Sequence, residues 1–314
     1  MKALRVNKTG ETVSVVFEDL LPPSPSPSEV LVKIRASAVQ PSDILNAKGA
    51  FPMTTFPRTL GRDFAGTITE GPPHLTGKDV FGTSGNTFSF TADGAQAEYA
   101  VVSSDAVAIK PPQLSFEQAA LLGTPFTTAN LTLKRIQLKA GETVLVLGAT
   151  GAVGSWVMLI AKAKGCKTIG VGRHGTDIDS TQDPTLSRAK DLTVGKGPDI
   201  VVDTVGDFQL LKAAFDVLAP YGRLCTITAP RSRSKEFPID ILSLYRRQIS
   251  IVGCNSLAYS QADMAKMLTD DLIPLVESGS LQAPALGNTV RLPLDQALDA
   301  YDGKVKKAVI VFDE

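Results

Sequence analysis

The spacing of apolar and polar positions along this chain changes period near residue 115. Up to about residue 110 the apolar residues come in short runs cut by glycine and proline. Three of these, Val30-Leu31-Val32-Lys33-Ile34-Arg35, Phe64-Ala65-Gly66-Thr67-Ile68-Thr69 and Ala97-Glu98-Tyr99-Ala100-Val101-Val102, have the length and residue types of β-strands. Pro22-Pro23-Ser24-Pro25-Ser26-Pro27 lies between strand signals and reads as a stiff spacer rather than a docking motif. From Ser115 the pattern lengthens. Ser115-Phe116-Glu117-Gln118 is a capping box before Ala119-Ala120-Leu121-Leu122. Strands are then predicted over 143–147, 167–171, 199–203, 223–228 and 249–252, with helices over 152–164 and 207–218. Asp207 caps the second helix, and Pro220-Tyr221-Gly222 stops it. Alternation of this kind predicts a parallel sheet with helices on its faces. The tail returns to the first style, with Lys307-Ala308-Val309-Ile310-Val311-Phe312 as a final strand. No internal repeat is present. The fold class is α/β: a β-rich part, an inserted doubly wound part and a returning strand, expected to form two lobes with a cleft.

The most informative segment is Val144-Leu145-Val146-Leu147-Gly148-Ala149-Thr150-Gly151-Ala152-Val153-Gly154. Glycines three apart follow an apolar run and open a helix. Val153, Trp156, Val157 and Ile160 fall on one face of that helix. A strand–glycine turn–helix unit lets backbone approach a pyrophosphate and aims free N–H groups at it. The alternative is an ordinary tight turn of an α/β protein.

The 314 residues are 43% apolar, enough for a sizeable core, and 32 Lys+Arg balance 32 Asp+Glu. No global field advertises nucleic acid or an anionic membrane. Cys166, Cys225 and Cys254 are far apart, odd in number and set among apolar residues, which predicts reduced, buried thiols. The first residues lack a signal-peptide core, and no apolar run approaches 18 residues. The expectation is a cytoplasmic protein with no membrane partner.

Several short motifs carry a resemblance that covers nearly the whole chain. They are Glu29-Val30-Leu31-Val32, Gln40-Pro41-Ser42-Asp43, Thr59-Leu60-Gly61-Arg62-Asp63-Phe64-Ala65-Gly66, Ala119-Ala120-Leu121-Leu122, Thr127-Thr128-Ala129, Gly141-Glu142-Thr143-Val144-Leu145-Val146, the glycine turn, Asp203-Thr204-Val205-Gly206 and Gly222-Arg223-Leu224. In this order and spacing they resemble the medium-chain dehydrogenase/reductase superfamily, and within it the zinc-free, zeta-crystallin-like quinone oxidoreductase branch. The resemblance implies a GroES-like substrate domain over 1–122, completed by 267–314, and a Rossmann dinucleotide-binding domain over 123–266. It implies a cofactor set of Thr128, Gly148, Thr150, Gly151, Ala152, Val153, Gly154, Arg173, His174, Thr204, Val205, Thr228 and Asn255. Zinc-dependent relatives carry Cys where Gln40 stands and His where Arg62 stands, and a structural zinc site needs a run of Cys that residues 70–110 lack. His74 and His174 have no companion ligands in sequence. No metal is expected.

The second strand of the inserted domain ends in Arg173-His174, where NAD-preferring domains place an acid. A guanidinium there suits a 2′-phosphate, which points to NADP(H). The alternatives are a solvated surface arginine and a contribution from nearby Asp177 and Asp179. Without a Lewis acid, hydride delivery to a quinone or an α,β-unsaturated carbonyl is the expected chemistry. Gln40 and Asp43 are the candidate catalytic residues. Gln40 would donate to the substrate carbonyl or fix the nicotinamide side; it could equally be a buried amide tying two loops together. Asp43 would orient neighbouring backbone, and would need a raised pKa to give a proton. Leu45 and Phe51 stand where related branches have Tyr, which weakens an enoyl-thioester reading and leaves final protonation to water. Tyr259 is a spare phenol. Two further readings stay open. One is an NADPH-binding protein with a structural or RNA-binding role, for which Arg231-Ser232-Arg233-Ser234-Lys235 and Tyr245-Arg246-Arg247 would be the contact clusters. The other is a homodimeric assembly. A Ser/His/Asp hydrolase is not expected, since neither His has a credible partner in sequence and no Gly-x-Ser-x-Gly elbow occurs.

Overall fold

A computed structural model describes residues 1–281 and 286–313. The chain divides into two compact units, Met1–Thr127 with Ser256–Glu314, and Thr128–Asn255.

The first unit begins with a hairpin of β1 (Lys2–Thr9) and β2 (Thr12–Asp19). The proline-rich spacer then leads to β3 (Glu29–Val39), followed by helix α1 (Pro41–Ala47), β4 (Arg58–Thr59), β5 (Asp63–Glu70), β6 (Asp79–Gly82), β7 (Tyr99–Ser103), β8 (Ala108–Ile109) and α2 (Phe116–Ala120). β3 is the organising strand. Its first half pairs antiparallel with β7, and β5 runs antiparallel along its length with two register shifts. Val30, Val32, Ile34, Phe64, Ile68 and Val80 pack beneath these strands as a core. The expected capping box forms: Ser115 Oγ accepts from Gln118 N, and Gln118 Oε1 accepts from Ser115 N.

Helix α3 (Gly123–Arg135) leads into β9 (Thr143–Leu147), α4 (Ala152–Ala163), β10 (Lys167–Gly172), β11 (Ile178–Asp179), α5 (Arg188–Asp191), β12 (Ile200–Asp203), α6 (Phe208–Val217), β13 (Arg223–Thr226) and β14 (Ser250–Gly253). The six strands form one parallel sheet in the order β11-β10-β9-β12-β13-β14. This is the doubly wound order, and its direction reverses between β9 and β12. Trp156, Val157 and Ile160 lie on the buried face of α4, as the sequence period predicts; Ala161 joins them, while Val153 is half-buried. Asp207 caps α6 through Gln209 N and Leu210 N, and α6 buries Leu211, Ala214, Phe215 and Val217 on the sheet. β13 stops two residues short of its expected end, because its parallel partner β12 ends at Asp203. Thr228 therefore lies in a loop. After β14 the chain returns to the first unit, where β15 (Val290–Pro293) pairs parallel with β16 (Ala308–Val311), and β16 pairs antiparallel with the second half of β3. No helix among the described residues is long and apolar enough to cross a membrane.

Candidate active site and cofactor site

The two groups of predicted residues fall in different units. In the Rossmann-type unit, the turn after β9 is shaped by close approach. Gly148 has φ +80°, and a Cβ on it would lie 2.5 Å from Thr204 Oγ1. Thr204 is itself fastened to the end of β9 through its Oγ1, 2.8 Å from Leu147 O. A Cβ on Gly154 would lie 2.2 Å from Gly148 O, so only glycine lets α4 start this close to the turn. Gly151 caps α4 with no side-chain bond, which leaves the first amides of the helix to an external acceptor. The turn after β12 is tied by Asp203, whose Oδ1 accepts from Val205 N and Gly206 N at 2.9 and 3.0 Å.

These two turns flank a pocket of about 460 Å³. Gly148, Thr150, Gly151, Arg173, Thr204 and Val205 line it, all six of them predicted. Ala152, Val153 and Gly154 lie behind it in the first turn of α4. Thr128, His174, Thr228 and Asn255 lie outside its lining. Thr128 is buried in α3, while His174 and Asn255 are exposed. The nearby acids are already engaged. Asp177 Oδ2 accepts from Gly170 N at 2.7 Å, and Asp179 Oδ1 accepts from Thr181 N and Thr181 Oγ1. Those bonds from Thr181 hold Asp179 below the usual carboxylate range. Arg231, absent from the predicted set, also lines the pocket, its backbone N–H tied 2.9 Å from Gly206 O. Neither Arg173 nor Arg231 has a side-chain hydrogen bond or ion pair among the described residues. The sequence signal for Arg231 is the basic run 231–235, which carries no indication of its place beside Gly148.

The other group lies in the first unit, where α1 meets β5. Gln40 is the N-cap of α1 with Pro41 at the first helical position, and it is only 6% exposed. Its backbone N–H donates to Asp43 Oδ2 at 2.8 Å, and its Nε2 donates to Asp63 Oδ2 at 2.9 Å. Asp43 and Asp63 are wholly buried, and Arg62 is 3% exposed. Arg62 donates from Nε to Ser84 Oγ at 2.6 Å and from Nη1 to Ser42 Oγ at 2.8 Å, and its guanidinium stacks over Phe90. Burial pushes the Asp43 carboxyl up to about 7, opposed chiefly by Arg62, while Asp63 adds to the rise. Its Oδ1 has no hydrogen-bond partner. Burial also raises Asp63, against donated hydrogen bonds from Thr83 and Thr124, and lowers Arg62, against both carboxylates. The cluster thus holds one guanidinium between two carboxyl groups, one with several donors and one with few. Leu45 is half-exposed, and Phe51 packs edge-on against Phe90. Tyr259 is half-buried. Among the described residues no three His, Cys, Asp or Glu side chains gather as metal ligands. All three cysteines are free and buried, and burial pushes Cys225 up to about 12.

Comparison with known proteins agrees with this architecture. The alcohol dehydrogenase GroES-like domain family matches residues 26–112, and the zinc-binding dehydrogenase family matches residues 152–270. A zinc-type alcohol dehydrogenase-like protein of Schizosaccharomyces pombe is 45% identical over 282 residues, 89% of this chain and 86% of that one. The quinone oxidoreductase of Sus scrofa is 37% identical over 321 residues, 96% of this chain and 93% of that one. A mycobacterial protein solved in complex with NADPH superposes with a TM-score of 0.82 at 25% identity, over 99% of this chain and 100% of the other.

Proposed function

We propose that this chain, an oxidoreductase that belongs to the medium-chain dehydrogenase/reductase superfamily and to its quinone oxidoreductase branch, uses NADPH to reduce a quinone or an α,β-unsaturated carbonyl. The observation that carries the reading is the pocket at the sheet's switch point, with its glycine turn and its two unpaired arginines. The residues present suit a dinucleotide. Gly148, Gly151 and the first turn of α4 would hold the pyrophosphate, and Thr204 and Val205 would line its path. Arg173 and Arg231 would take the 2′-phosphate; the acids near them, Asp177, Asp179 and the pocket-lining Asp207, each already accept backbone N–H bonds. The cofactor, when bound, supplies the hydride.

The acceptor's needs are met by groups of the first unit. Gln40 keeps one amide N–H after serving Asp63, and that N–H would donate to the substrate carbonyl as enolate charge develops. Asp43 does not reach substrate on this reading. It is wholly buried and holds the Gln40 backbone, so it acts by positioning. The donor set in this corner is Gln40, Arg62 and two enclosed carboxyls, which does not suit a zinc ion.

The assay is NADPH absorbance decay against a panel of quinones, enones and enoyl thioesters. Turnover on the first two classes is expected. Gln40→Ala should lower kcat by roughly tenfold to a thousandfold, the range for losing one electrophilic hydrogen bond, with little change in NADPH affinity. Arg173→Ala and Arg231→Ala should each weaken NADPH by about 1–3 kcal/mol and leave NADH nearly unaffected. Tight NADPH binding with no turnover on any member would replace the reading with a cofactor-holding binding protein.

A further inference from the structure

We infer that Asp63 is the positioning residue for Gln40: it fixes which end of the amide faces the buried carboxylate, and so keeps the remaining Nε2–H as a donor. The inference rests on the donor role proposed for Gln40 above.

The two ends of a glutamine amide are nearly the same size and opposite in hydrogen-bonding sense. Only the partners decide which way round it sits. Here the partner is a carboxylate surrounded by donors. Asp63 Oδ1 receives Thr83 Oγ1 at 2.5 Å, Thr124 N at 2.9 Å and Thr124 Oγ1 at 2.7 Å. Its Oδ2 receives Gln40 Nε2 at 2.9 Å. An ionised carboxylate only accepts, so the Gln40 atom facing Oδ2 must be the nitrogen. Three bonds donated by Thr83 and Thr124 and the neighbouring Arg62 charge work for the ionised form, while burial, the largest effect, raises the carboxyl. The main chain at Gln40 is held separately, by Asp43 Oδ2 at 2.8 Å, which leaves Asp63 as the partner of the amide end. The enclosure is built closely. A Cβ on Gly123 would lie 2.6 Å from Asp63 Oδ1, so the start of α3 can bring Thr124 to the carboxylate only with glycine before it.

Asp63→Asn separates this from a merely structural role. The Thr124 N–H still requires an acceptor, so the new amide turns its oxygen toward Thr124 and its NH2 toward Gln40. Gln40 must then present Oε1, and the position of its outward N–H becomes a lone pair. A lone pair aimed at a carbonyl oxygen repels it, whereas an alanine side chain leaves only a gap. The expected kcat of Asp63→Asn is therefore as low as that of Gln40→Ala or lower, with NADPH affinity within about twofold of wild type. The double variant should return to the Gln40→Ala level. Circular dichroism and melting curves accompany each assay. If Gln40→Ala loses turnover while a folded Asp63→Asn keeps kcat within about twofold, the inference is overturned and the reading of Gln40 stands. If Gln40→Ala itself turns over normally, the reading of Gln40 fails and takes the inference with it. Should Asp63→Asn not fold, neutron diffraction from deuterium-exchanged wild-type crystals decides the question. Deuterium on the Gln40 atom facing Asp63 supports the assignment, and an oxygen there overturns it.

Discussion

Asp43→Asn tests the electrostatics of the α1 corner through stability alone. The Asp43 carboxyl is wholly buried, and loss of hydration lifts it from the ordinary 3.8 to about 7. Its folded pKa lies above its unfolded one. The proton it holds therefore favours the folded state fully below about pH 4, and this contribution is lost progressively as pH rises to about 7. A gap of about 3 pH units, at 1.36 kcal/mol each, corresponds to roughly 4 kcal/mol. Asparagine has nearly the same size and can still accept from the Gln40 N–H, but it never ionises. The difference in stability between variant and wild type should therefore grow in the variant's favour from pH 4 to pH 7 and level off above pH 8. At roughly 2–4 °C per kcal/mol, the change in Tm difference is on the order of 10 °C. Parallel melting curves from pH 4 to pH 9 measure it, and the subtraction cancels groups common to both proteins. A pH-independent offset, or a variant that loses ground as pH rises, would refute the assignment of a buried, protonated Asp43.

Two further outcomes are expected in the glycine turn, and one concerns metal. Gly154→Ala places a Cβ 2.2 Å from Gly148 O, a backbone atom, so α4 must shift; the cost should be about 1–3 kcal/mol, read as a lower Tm together with weaker NADPH binding. A Cβ at Gly151 meets nothing nearer than Gly148 O at 3.1 Å. Gly151→Val should accordingly fold yet fail to bind dinucleotide in a fluorescence titration, and unchanged affinity would misplace the pyrophosphate. Elemental analysis should find no stoichiometric zinc, and a chelator should leave NADPH oxidation intact. One metal per chain, removed together with activity, would overturn that expectation.

Elements that depend only on neighbours along the chain are legible in the amino-acid sequence. The change of period at Ser115, the Asp207 cap and the buried face of α4 need only the next few residues to be recognised. The doubly wound order also follows, because alternating strands and helices leave few topologies. Contacts set by strand register are not legible in this way. Gln40 meets Asp63 because β3 and β5 pair over a hairpin-like span that ends beside α1, and nothing near Gln-Pro-Ser-Asp announces it. The basic run at 231–235 is visible in sequence, yet its neighbour Arg173 lies on a different strand end. Only the bond from Arg231 N to Gly206 O shows that the loop after β13 turns back over the pocket. Asp177 and Asp179 are ambiguous in sequence for the same reason: each carboxylate's partner is a backbone group that the local fold must first present.

The crowding of donors on a single oxygen of Asp63 also bears on how this corner can diverge. Thr83, Thr124 and Gly123 are shaped around a carboxyl oxygen that any apolar residue at 63 would remove. The Thr124 amide would then be stranded in the interior at roughly 1–3 kcal/mol, while the Thr83 and Thr124 hydroxyls, 3.0 Å apart, could retain only the bond between them. No single step from this arrangement is cheap. Positions 63, 83, 123 and 124 should therefore drift as a block among descendants of this sequence, and a library that samples one substitution at a time should find the corner closed.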